Sequence, residues 1–521
     1  MVADTKGAQA LRRFHHTFSQ LRGWRRRGVS FASGVAAALA LAPFYFLPLL
    51  ALSFTILIIL LDGAAEAKRP IRTAAMIGWF FGFGYFLVGL YWLGFAFLVQ
   101  ADQFAWMIPF AVSGMPAFLA FFYASACALA VAFWRQGWRR GVVFALSLMI
   151  FEYARGHILT GLPWNLPGQA LAGTAVGAQT AAIWGAYGLS LAAALLALAP
   201  AMTIDRHGAR WRGTLIMAGG TAVLFAVGVL RLAMIGPDTH ANTHVRIVQP
   251  SIAQTEKIDP QFWWRNFERH LDLSKGIEAS DAQVFVIWPE NGVPVIDEVD
   301  EALSELSAAL PDNATLIAGS VRREEDAQGT QRFFNSIAFV EPTPEGRRAV
   351  AHYDKHHLVP FGEYLPLKGV LRALGLSQLA PFEDGFTPGA GPQAFSFRGP
   401  SFAPLICYEA IFPGAMYPKG RRPEWLVTVT NDAWYGDTSG PRQHLDQARL
   451  RSIETGLPMA RAANTGISAL IDARGVYVAR LPLYETGAVD APLPKPLKGT
   501  IYAAVGDSFF ILMVLALAVV A

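Results

Sequence analysis

The chain has 521 residues, of which 53% are hydrophobic and only 16% are charged. Soluble domains carry about 25% charged residues, so this composition excludes an ordinary soluble enzyme and a disordered chain. Two cysteines are too few for a disulfide-stabilised scaffold, and a formal net charge of +4 gives no reason to expect a nucleic-acid partner.

Long apolar stretches predict membrane-spanning helices in the first half of the chain. A spanning helix needs about 20 apolar residues, and a charged residue at its centre costs about 2.5–3.5 kcal/mol. Between Arg72 and Arg135 the only charged residue is Asp102. We expect eight spans, the first two of which could instead form one re-entrant hairpin. The expected spans lie near 28–43, 45–62, 73–99, 103–134, 140–156, 174–200, 212–235 and 503–521.

Basic residues are concentrated in alternate connections between the expected spans. Six arginines precede the first span, and further basic clusters lie at 68–72, 135–140 and 206–212. By the positive-inside rule, the N-terminus and C-terminus are cytoplasmic and the residues after the seventh span lie on the opposite side. The expected parts are a basic N-terminal segment, a membrane domain of seven spans, a globular domain and a last span. Their boundaries are 1–27, 28–235, 243–500 and 503–521.

The composition between residues 243 and 500 is that of a globular domain. Short β-branched runs alternate with amphipathic stretches, a pattern typical of a layered α/β domain. Strands are predicted at His244–Gln249, Val284–Trp288, Thr315–Ser320, Phe402–Cys407 and Trp425–Thr430. Helices are predicted at Glu268–Ile277, Glu301–Leu310 and Pro441–Thr455.

Three reactive side chains follow apolar strand-like runs in this domain. Glu290 lies in Trp-Pro-Glu, Lys355 follows Tyr-Asp, and Cys407 ends Pro-Leu-Ile-Cys. Each has an ordinary structural explanation, as a solvated cap, a surface lysine and a buried packing cysteine. Together they form a set for acyl transfer, in which a carboxylate accepts the thiol proton and an ammonium stabilises the thiolate and the oxyanion. Cys127 lies inside an expected span, so we do not expect it to form a disulfide with Cys407.

The surrounding strings resemble a known family. Tyr-Asp-Lys-His-His-Leu-Val-Pro-Phe-Gly-Glu-Tyr-Leu-Pro at 353–366, Ile-Cys-Tyr-Glu at 406–409 and Thr-Asn-Asp-Ala-Trp-Tyr-Gly at 430–436 are similar to those of the apolipoprotein N-acyltransferase family. This family lies within the nitrilase, or carbon–nitrogen hydrolase, superfamily. The resemblance covers nearly the whole chain, because spans on both sides of the globular domain match it too.

The resemblance implies a fold and a set of site residues. The expected fold is a polytopic α-helical membrane domain of about eight spans that carries a nitrilase-like α-β-β-α sandwich. Glu290 would be the general base, Lys355 the oxyanion-stabilising cation and Cys407 the nucleophile. Further residues implied at the site are Glu363, Tyr408, Glu409 and Asn335. One departure is that Lys257 is followed by Ile258, where members often carry Trp.

The resemblance also implies the reaction and its location. The sn-1 acyl chain of a phospholipid, expected to be phosphatidylethanolamine, would pass through a thioester on Cys407. It would then reach the α-amino group of the diacylglyceryl-cysteine of an apolipoprotein. We expect a monomer in the bacterial inner membrane with a periplasmic catalytic domain. No cofactor or metal is expected, since the mechanism needs neither and His356, His357 and His444 lack a standard ligand spacing.

A polar and aromatic interruption at 152–168 admits two interpretations. Trp164 belongs to an interfacial aromatic belt, or it lines a cleft in which Arg155 contacts a lipid phosphate.

Two other functions are compatible with parts of the sequence. A membrane-tethered amidase acting on a small periplasmic amide would use the same three residues, with water in place of the amine. A transporter or lipid scaffold with an inactive soluble domain is the other alternative. The retained reactive groups and the absence of paired charges inside the expected spans argue against it.

Overall fold

The computed structural model describes residues 6–204, 211–234, 236, 238–277, 281–325, 329–366, 385–414 and 416–521. The chain divides into two compact units. The first comprises Met1–Ile235, Thr438–Asp446 and Thr500–Ala521, and the second comprises Gly236–Asp437 and Gln447–Gly499.

The first unit is helical throughout its described residues. Short 3-10 helices at Tyr91–Leu98, Ala105–Met107 and Pro167–Gly173 connect its longer elements. Its α-helices are Lys6–Ser19, Gly23–Ala38, Leu47–Ala65, Pro70–Gly89, Ala101–Phe104, Ile108–Ala132, Arg139–His157, Ala175–Ala178, Ala181–Thr203, Trp211–Met234, Ile501–Val505 and Ser508–Val520.

Small residues let three of these helices approach each other closely. A Cβ added at Gly34 would lie 2.0 Å from the carbonyl oxygen of Phe81, and one at Gly78 would lie 2.3 Å from that of Tyr123. The helices Gly23–Ala38, Pro70–Gly89 and Ile108–Ala132 therefore pack backbone to backbone, as helices do where lipid supplies no hydrophobic driving force.

Five stretches of the described residues are long and apolar enough to cross a membrane. They are Leu47–Ala65, Pro70–Gly89, Ala101–Ala132, Ala181–Met202 and Leu215–Met234. A membrane-spanning region is therefore supported, while the expected number of eight spans is not reached.

The three remaining expected spans differ from these five in length or charge. Gly23–Ala38 has 16 residues, and Arg139–His157 contains charged residues near both ends. The expected span at 503–521 is interrupted at Gly506, whose φ of +57° ends one short helix before Ser508–Val520 begins.

The second unit contains two β-sheets. Its strands β1 to β11 are Thr239–Gln249, Gln283–Trp288, Ala314–Glu325, Gln331–Thr343, Gly346–Asp354, Phe402–Ile406, Trp425–Thr430, Met459–Ala463, Ser468–Ile471, Tyr477–Leu481 and Gly487–Pro494. The six-stranded sheet has the order β11-β1-β2-β3-β4-β5, and the five-stranded sheet has the order β10-β9-β8-β7-β6. Its α-helices are Gln254–Lys257, Trp263–Ser274, Asp300–Ala309 and, from its middle onward, Ser439–Thr455.

The main core of this unit lies between the two sheets. Phe285 and Ile287 of β2 pack there with residues of the other sheet such as Trp425. Val286 and Trp288, which alternate with them, face the helices Trp263–Ser274 and Asp300–Ala309 instead. Because β2 is buried on both faces, its sequence is a continuous apolar run rather than an alternating one.

The predicted strands and helices of the globular domain are all present, with ends that differ by a few residues. Sequence analysis gave no strand range for β4, for β5 or for β8 through β11. The strands β8 and β9 contain short polar and alanine-rich segments whose burial depends on their neighbours in the sheet.

Candidate active site

The topology brings the three predicted reactive residues to one end of the second unit. Glu290 lies two residues after β2, Lys355 follows β5 directly, and Cys407 follows β6 directly. β5 pairs antiparallel with β4, which pairs antiparallel with β3, so β5 runs parallel to β2 and their carboxyl ends share an edge. Asn335 lies near the start of β4 and therefore at the same edge.

Lys355 is held between two carboxylates. Its Nζ donates to Glu363 Oε1 at 2.9 Å and lies 3.4 Å from Glu290 Oε1. Asn335 Nδ2 donates to the same two oxygens, at 2.6 Å for Glu363 and 2.8 Å for Glu290. The backbone N–H of Val359 donates to the second oxygen of Glu363. The two carboxylates are thus fixed around one ammonium and one amide.

The titration of Lys355 and Cys407 follows from their burial and charges. Burial alone would lower the pKa of Lys355, but the carboxylates of Glu363 and Glu290 outweigh it and raise that pKa. Burial raises the pKa of the Cys407 thiol and the Glu290 charge adds to this, while Lys355 and the Thr430 hydroxyl oppose it. Lys355 is therefore a permanent cation, and the thiol needs a base to react at neutral pH.

The backbone at the nucleophile position is strained. Cys407 has a φ of +50° and is 6% exposed, and Asn291 and Phe361 on the other two site segments also have positive φ values. Residues with side chains adopt this left-handed region rarely, at a cost of about 1–3 kcal/mol, and do so mainly at functional sites.

Glu409 joins the turn that carries Cys407 to the segment that follows Lys355. One of its oxygens accepts from the backbone N–H groups of His356 and His357, at 2.8 and 3.2 Å. The other accepts from the Ile406 N–H and the Tyr353 hydroxyl, at 2.8 and 2.9 Å. The His356 ring also lies 2.6 Å from the carboxylate. These contacts fix the position of Cys407, the predicted nucleophile, relative to Lys355.

Several polar residues behind the thiol were not named as site residues from the sequence. Thr430 Oγ1 donates to Asp432 Oδ1 at 3.1 Å, and Arg461 Nη2 donates to Asp432 Oδ2 at 2.8 Å in a fully buried pair. Burial raises the pKa of the Tyr435 hydroxyl, and the charges of Cys407 and Asp432 raise it further. Thr430, Asp432 and Tyr435 could have been found from the sequence, because they belong to the 430–436 string on which the family resemblance partly rests.

Tyr408 packs beside the nucleophile with two other aromatic rings. Its ring centroid lies 5.6 Å from that of His357 and 5.0 Å from that of Phe412, and its side chain is mostly buried. Among the described residues there is no group of three or more His, Cys, Asp or Glu side chains that could hold a metal ion.

Arg155 and Trp164 lie inside the first unit and not on its surface. Arg155 is 1% exposed and pairs with Glu152, and its Nη1 donates to the carbonyl oxygens of Leu162 and Trp164. These contacts surround the guanidinium with protein groups and connect it to the loop after Arg139–His157, and the lipid-phosphate interpretation stays a prediction.

Trp164 is 2% exposed, so its side chain is buried within the first unit. Its Nε1 donates to Gln443 Oε1 at 2.8 Å, and its ring lies 4.8 Å from that of Trp92, both within the same unit. The indole N–H therefore has a buried amide partner, as is usual for a buried Trp, and both interpretations of Trp164 stay predictions.

Models of known protein families match residues in both units. The model of the apolipoprotein N-acyltransferase N-terminal domain matches residues 33–199, and that of the carbon–nitrogen hydrolases matches residues 244–504. The apolipoprotein N-acyltransferase of Rhodopseudomonas palustris is 40% identical over 499 residues, 93% of this chain and 92% of that protein.

Two further relatives with the same name have similar sequence identity and coverage. That of Brucella melitensis is 42% identical over 91% of both chains, and that of Bradyrhizobium diazoefficiens is 42% identical over 93% of this chain and 92% of its own. With such identity over nearly the full length of both proteins, the chain belongs to the apolipoprotein N-acyltransferase family of acyltransferases.

Proposed function

We propose that the protein transfers the sn-1 acyl chain of a phospholipid to the α-amino group of a diacylglyceryl-cysteine at the N-terminus of an apolipoprotein. Phosphatidylethanolamine is the proposed donor. The observation that carries the proposal is the cluster of Glu290, Lys355 and Cys407 in a chain of this family.

The first half-reaction forms a thioester. Cys407 Sγ attacks the ester carbonyl while its proton passes to Glu290, and Lys355 stabilises the oxyanion. The ester C–O bond then breaks, and Glu290 returns the proton to the departing lysophospholipid oxygen. No group other than the acyl chain remains on the protein.

The second half-reaction forms an amide. The neutral α-amino group attacks the thioester carbonyl and gives a proton to Glu290. The C–S bond breaks and the thiolate is reprotonated. Because an amide is more stable than a thioester, this step makes the cycle favourable, and a ping-pong scheme follows.

The choice of Glu290 as the base is supported by the hydrogen bonds of the two carboxylates. Within the described part of the chain, the contacts of the Glu290 carboxylate involve Oε1 only, whereas Glu363 accepts hydrogen bonds with both carboxylate oxygens. Glu290 therefore keeps an oxygen for the thiol proton, and Glu363 serves to orient Lys355.

The charge pattern supports a location for this chemistry. We propose that the N-terminus and C-terminus are cytoplasmic and that residues 243–500 form a periplasmic domain of an inner-membrane protein. Residues 1–27 would be a cytoplasmic segment, and 28–235 and 503–521 the membrane-embedded parts. A monomer suffices for the proposed reaction.

The proposal is tested by trapping the thioester. Purified full-length protein is incubated with a phospholipid carrying an isotopically heavy sn-1 chain and no acceptor, and its intact mass is measured. We expect one acyl increment, mapped to Cys407 and removed by neutral hydroxylamine. Cys407→Ala should give none, whereas Cys127→Ala, which changes the other cysteine, should behave as the parent chain.

The outcomes separate the proposal from its alternative. Addition of a diacylglyceryl-cysteine peptide should discharge the trapped acyl group as an amide. Fatty acid released into water without an adduct, or hydrolysis of a small amide, would support a membrane-tethered amidase instead.

A further inference from the structure

Lys257 is a second lysine at the candidate active site, and the proposed mechanism does not use it. It is the last residue of the short helix Gln254–Lys257 and is partly buried. Its Nζ donates to the backbone carbonyl oxygen of Glu290 at 2.5 Å. The ammonium is thus bound to the segment that presents the proposed base.

The segment that carries Lys257 is anchored on both sides. The backbone of Ile252 forms two hydrogen bonds with the Asn464 side chain, at 2.9 and 2.8 Å. The amide of Asn431 donates to Gln254 Oε1 at 2.7 Å. Because these partners lie directly after β7 and β8, the strands of the five-stranded sheet determine the position of Lys257.

Three titratable groups face Lys257. Burial lowers the pKa of Lys257 to about 8, while the charges of Glu290 and Cys407 oppose this effect. His270, on the neighbouring helix, bonds to the Asn266 carbonyl through Nδ1, and burial, together with Lys257, lowers its pKa to about 3. His270 is therefore neutral at physiological pH, and Lys257 acts on the base and the nucleophile.

We propose, on the basis of the proposed function, that Lys257 is a positioning residue for acyl transfer that fixes the Glu290 segment and, while protonated, stabilises the Cys407 thiolate together with Lys355. No bond to Lys257 forms or breaks, and the thiol proton still passes to Glu290. A cation bound to the backbone carbonyl of Glu290, in addition to Lys355 beside its carboxylate, keeps the cluster near neutrality when the thiolate forms.

This role predicts a specific pH dependence. Below pH 8 the Lys257 charge lowers the free energy of the Cys407 thiolate, and above pH 8 that charge disappears as the amine loses its proton. The rate of Cys407 alkylation should therefore rise with pH, flatten near pH 8 and then rise again. A residue that acted only on packing would change the rate equally at every pH.

The test measures alkylation of Cys407 by iodoacetamide in the detergent-solubilised full-length protein between pH 6.5 and 9.5. Mapping of the modified peptide separates Cys407 from Cys127. For Lys257→Met we expect a rate about tenfold lower below pH 8, which corresponds to about one unit in the thiol pKa, and convergence with the parent chain above pH 9.

Two further variants make the test decisive. Lys257→Arg, whose charge does not titrate in this range, should restore most of the rate and abolish the flattening. Lys275→Met, which removes an exposed lysine paired with Asp272, should match the parent chain at every pH. If Lys257→Met does not fold, as judged by its melting temperature, the comparison of Lys257→Arg with the parent profile decides.

Failure of this inference differs from failure of the proposed function. A Lys257→Met profile that is parallel to that of the parent chain, or identical to it, overturns the positioning role while leaving thioester formation intact. Absence of the thioester in the parent chain overturns the acyl-transfer proposal whatever the alkylation profile is.

Discussion

The buried charges around Glu290, Lys355 and Cys407 support the roles proposed for these three residues. Lys355 keeps its proton well beyond neutral pH, because two carboxylates surround it, so it cannot serve as a base. The pKa of the Cys407 thiol is raised by burial, so the thiol reacts only if a neighbouring group takes its proton. The charge of Glu290 acts on the Cys407 thiol, and we propose that its carboxylate is the group that takes this proton.

At the same scale, Glu409→Gln tests the link between the nucleophile turn and the lysine segment. An amide NH₂ cannot accept the hydrogen bonds that one carboxylate oxygen now receives, so backbone donors are left unsatisfied. We expect a stability loss of about 1–3 kcal/mol and strongly reduced thioester formation. Thermal unfolding and intact-mass measurements check both, with Glu305→Gln on an exposed helix face as the control.

The contribution of the Glu409 carboxylate to folding stability should decrease as the pH falls. Burial would raise the pKa of Glu409, but hydrogen bonds and charge from His356 lower it below its usual value. The stabilisation is therefore present above the unfolded-state pKa of about 4.3 and is lost as pH falls through the folded-state pKa. The difference in melting temperature between the parent chain and Glu409→Gln should shrink below pH 4; a constant difference would contradict this linkage.

At the scale of secondary structure, close approach of β3 to the Glu290 segment positions the base. Gly319 of β3 accepts a hydrogen bond from the Gly292 N–H at 2.9 Å. A Cβ at Gly319 would lie 2.2 Å from the Pro289 carbonyl oxygen and 2.7 Å from the Glu290 Cα. Only a residue without a side chain lets the strand and this segment come together.

Gly319→Ala should therefore displace Glu290 while leaving the sheet in place. We expect a stability loss of about 1–3 kcal/mol and a larger fractional loss of acyl-enzyme formation. Gly487→Ala is the matched control, because a Cβ there would make only ordinary contact, 3.6 Å from Leu481. Activity equal to that of the control would show that the contact does not position the base.

At the scale of the whole molecule, the alternation of basic and uncharged connections predicts which connections face the cytoplasm. A cysteine at Glu66, beside the basic cluster 68–72, should be labelled by a membrane-impermeant maleimide only after cell lysis. A cysteine at Gln100 should be labelled in intact cells with a permeabilised outer membrane. Both positions are exposed in the structure, and the Cys127→Ala, Cys407→Ala chain provides the background.

The opposite labelling pattern would place the catalytic domain in the cytoplasm and exclude the proposed topology. Labelling of both cysteines in intact cells would mean that the third expected span, 73–99, does not cross the membrane, which the re-entrant alternative for the first two spans would not explain.

The sequence by itself determined the division into apolar and globular parts and the chemistry of the site. Long apolar spans can be recognised from composition, because a helix that crosses the lipid must be apolar along its length. Strands such as β2 and β7 can be recognised as continuous apolar runs, because both of their faces are buried. Glu290, Lys355 and Cys407 were predicted as site residues from their residue types and from the strings around them, since a thiol, a carboxylate and an ammonium together can carry out acyl transfer without a cofactor.

Only the tertiary structure decided which side chains meet and which are satisfied internally. Glu152 and two loop carbonyls surround the Arg155 guanidinium, and Gln443, nearly 280 residues later, accepts the Trp164 N–H. Lys257 had no assigned role until its contact with the Glu290 carbonyl was seen. Such partners are distant in the chain, and burial and charge, which set pKa values and strain, exist only once the sheets have packed.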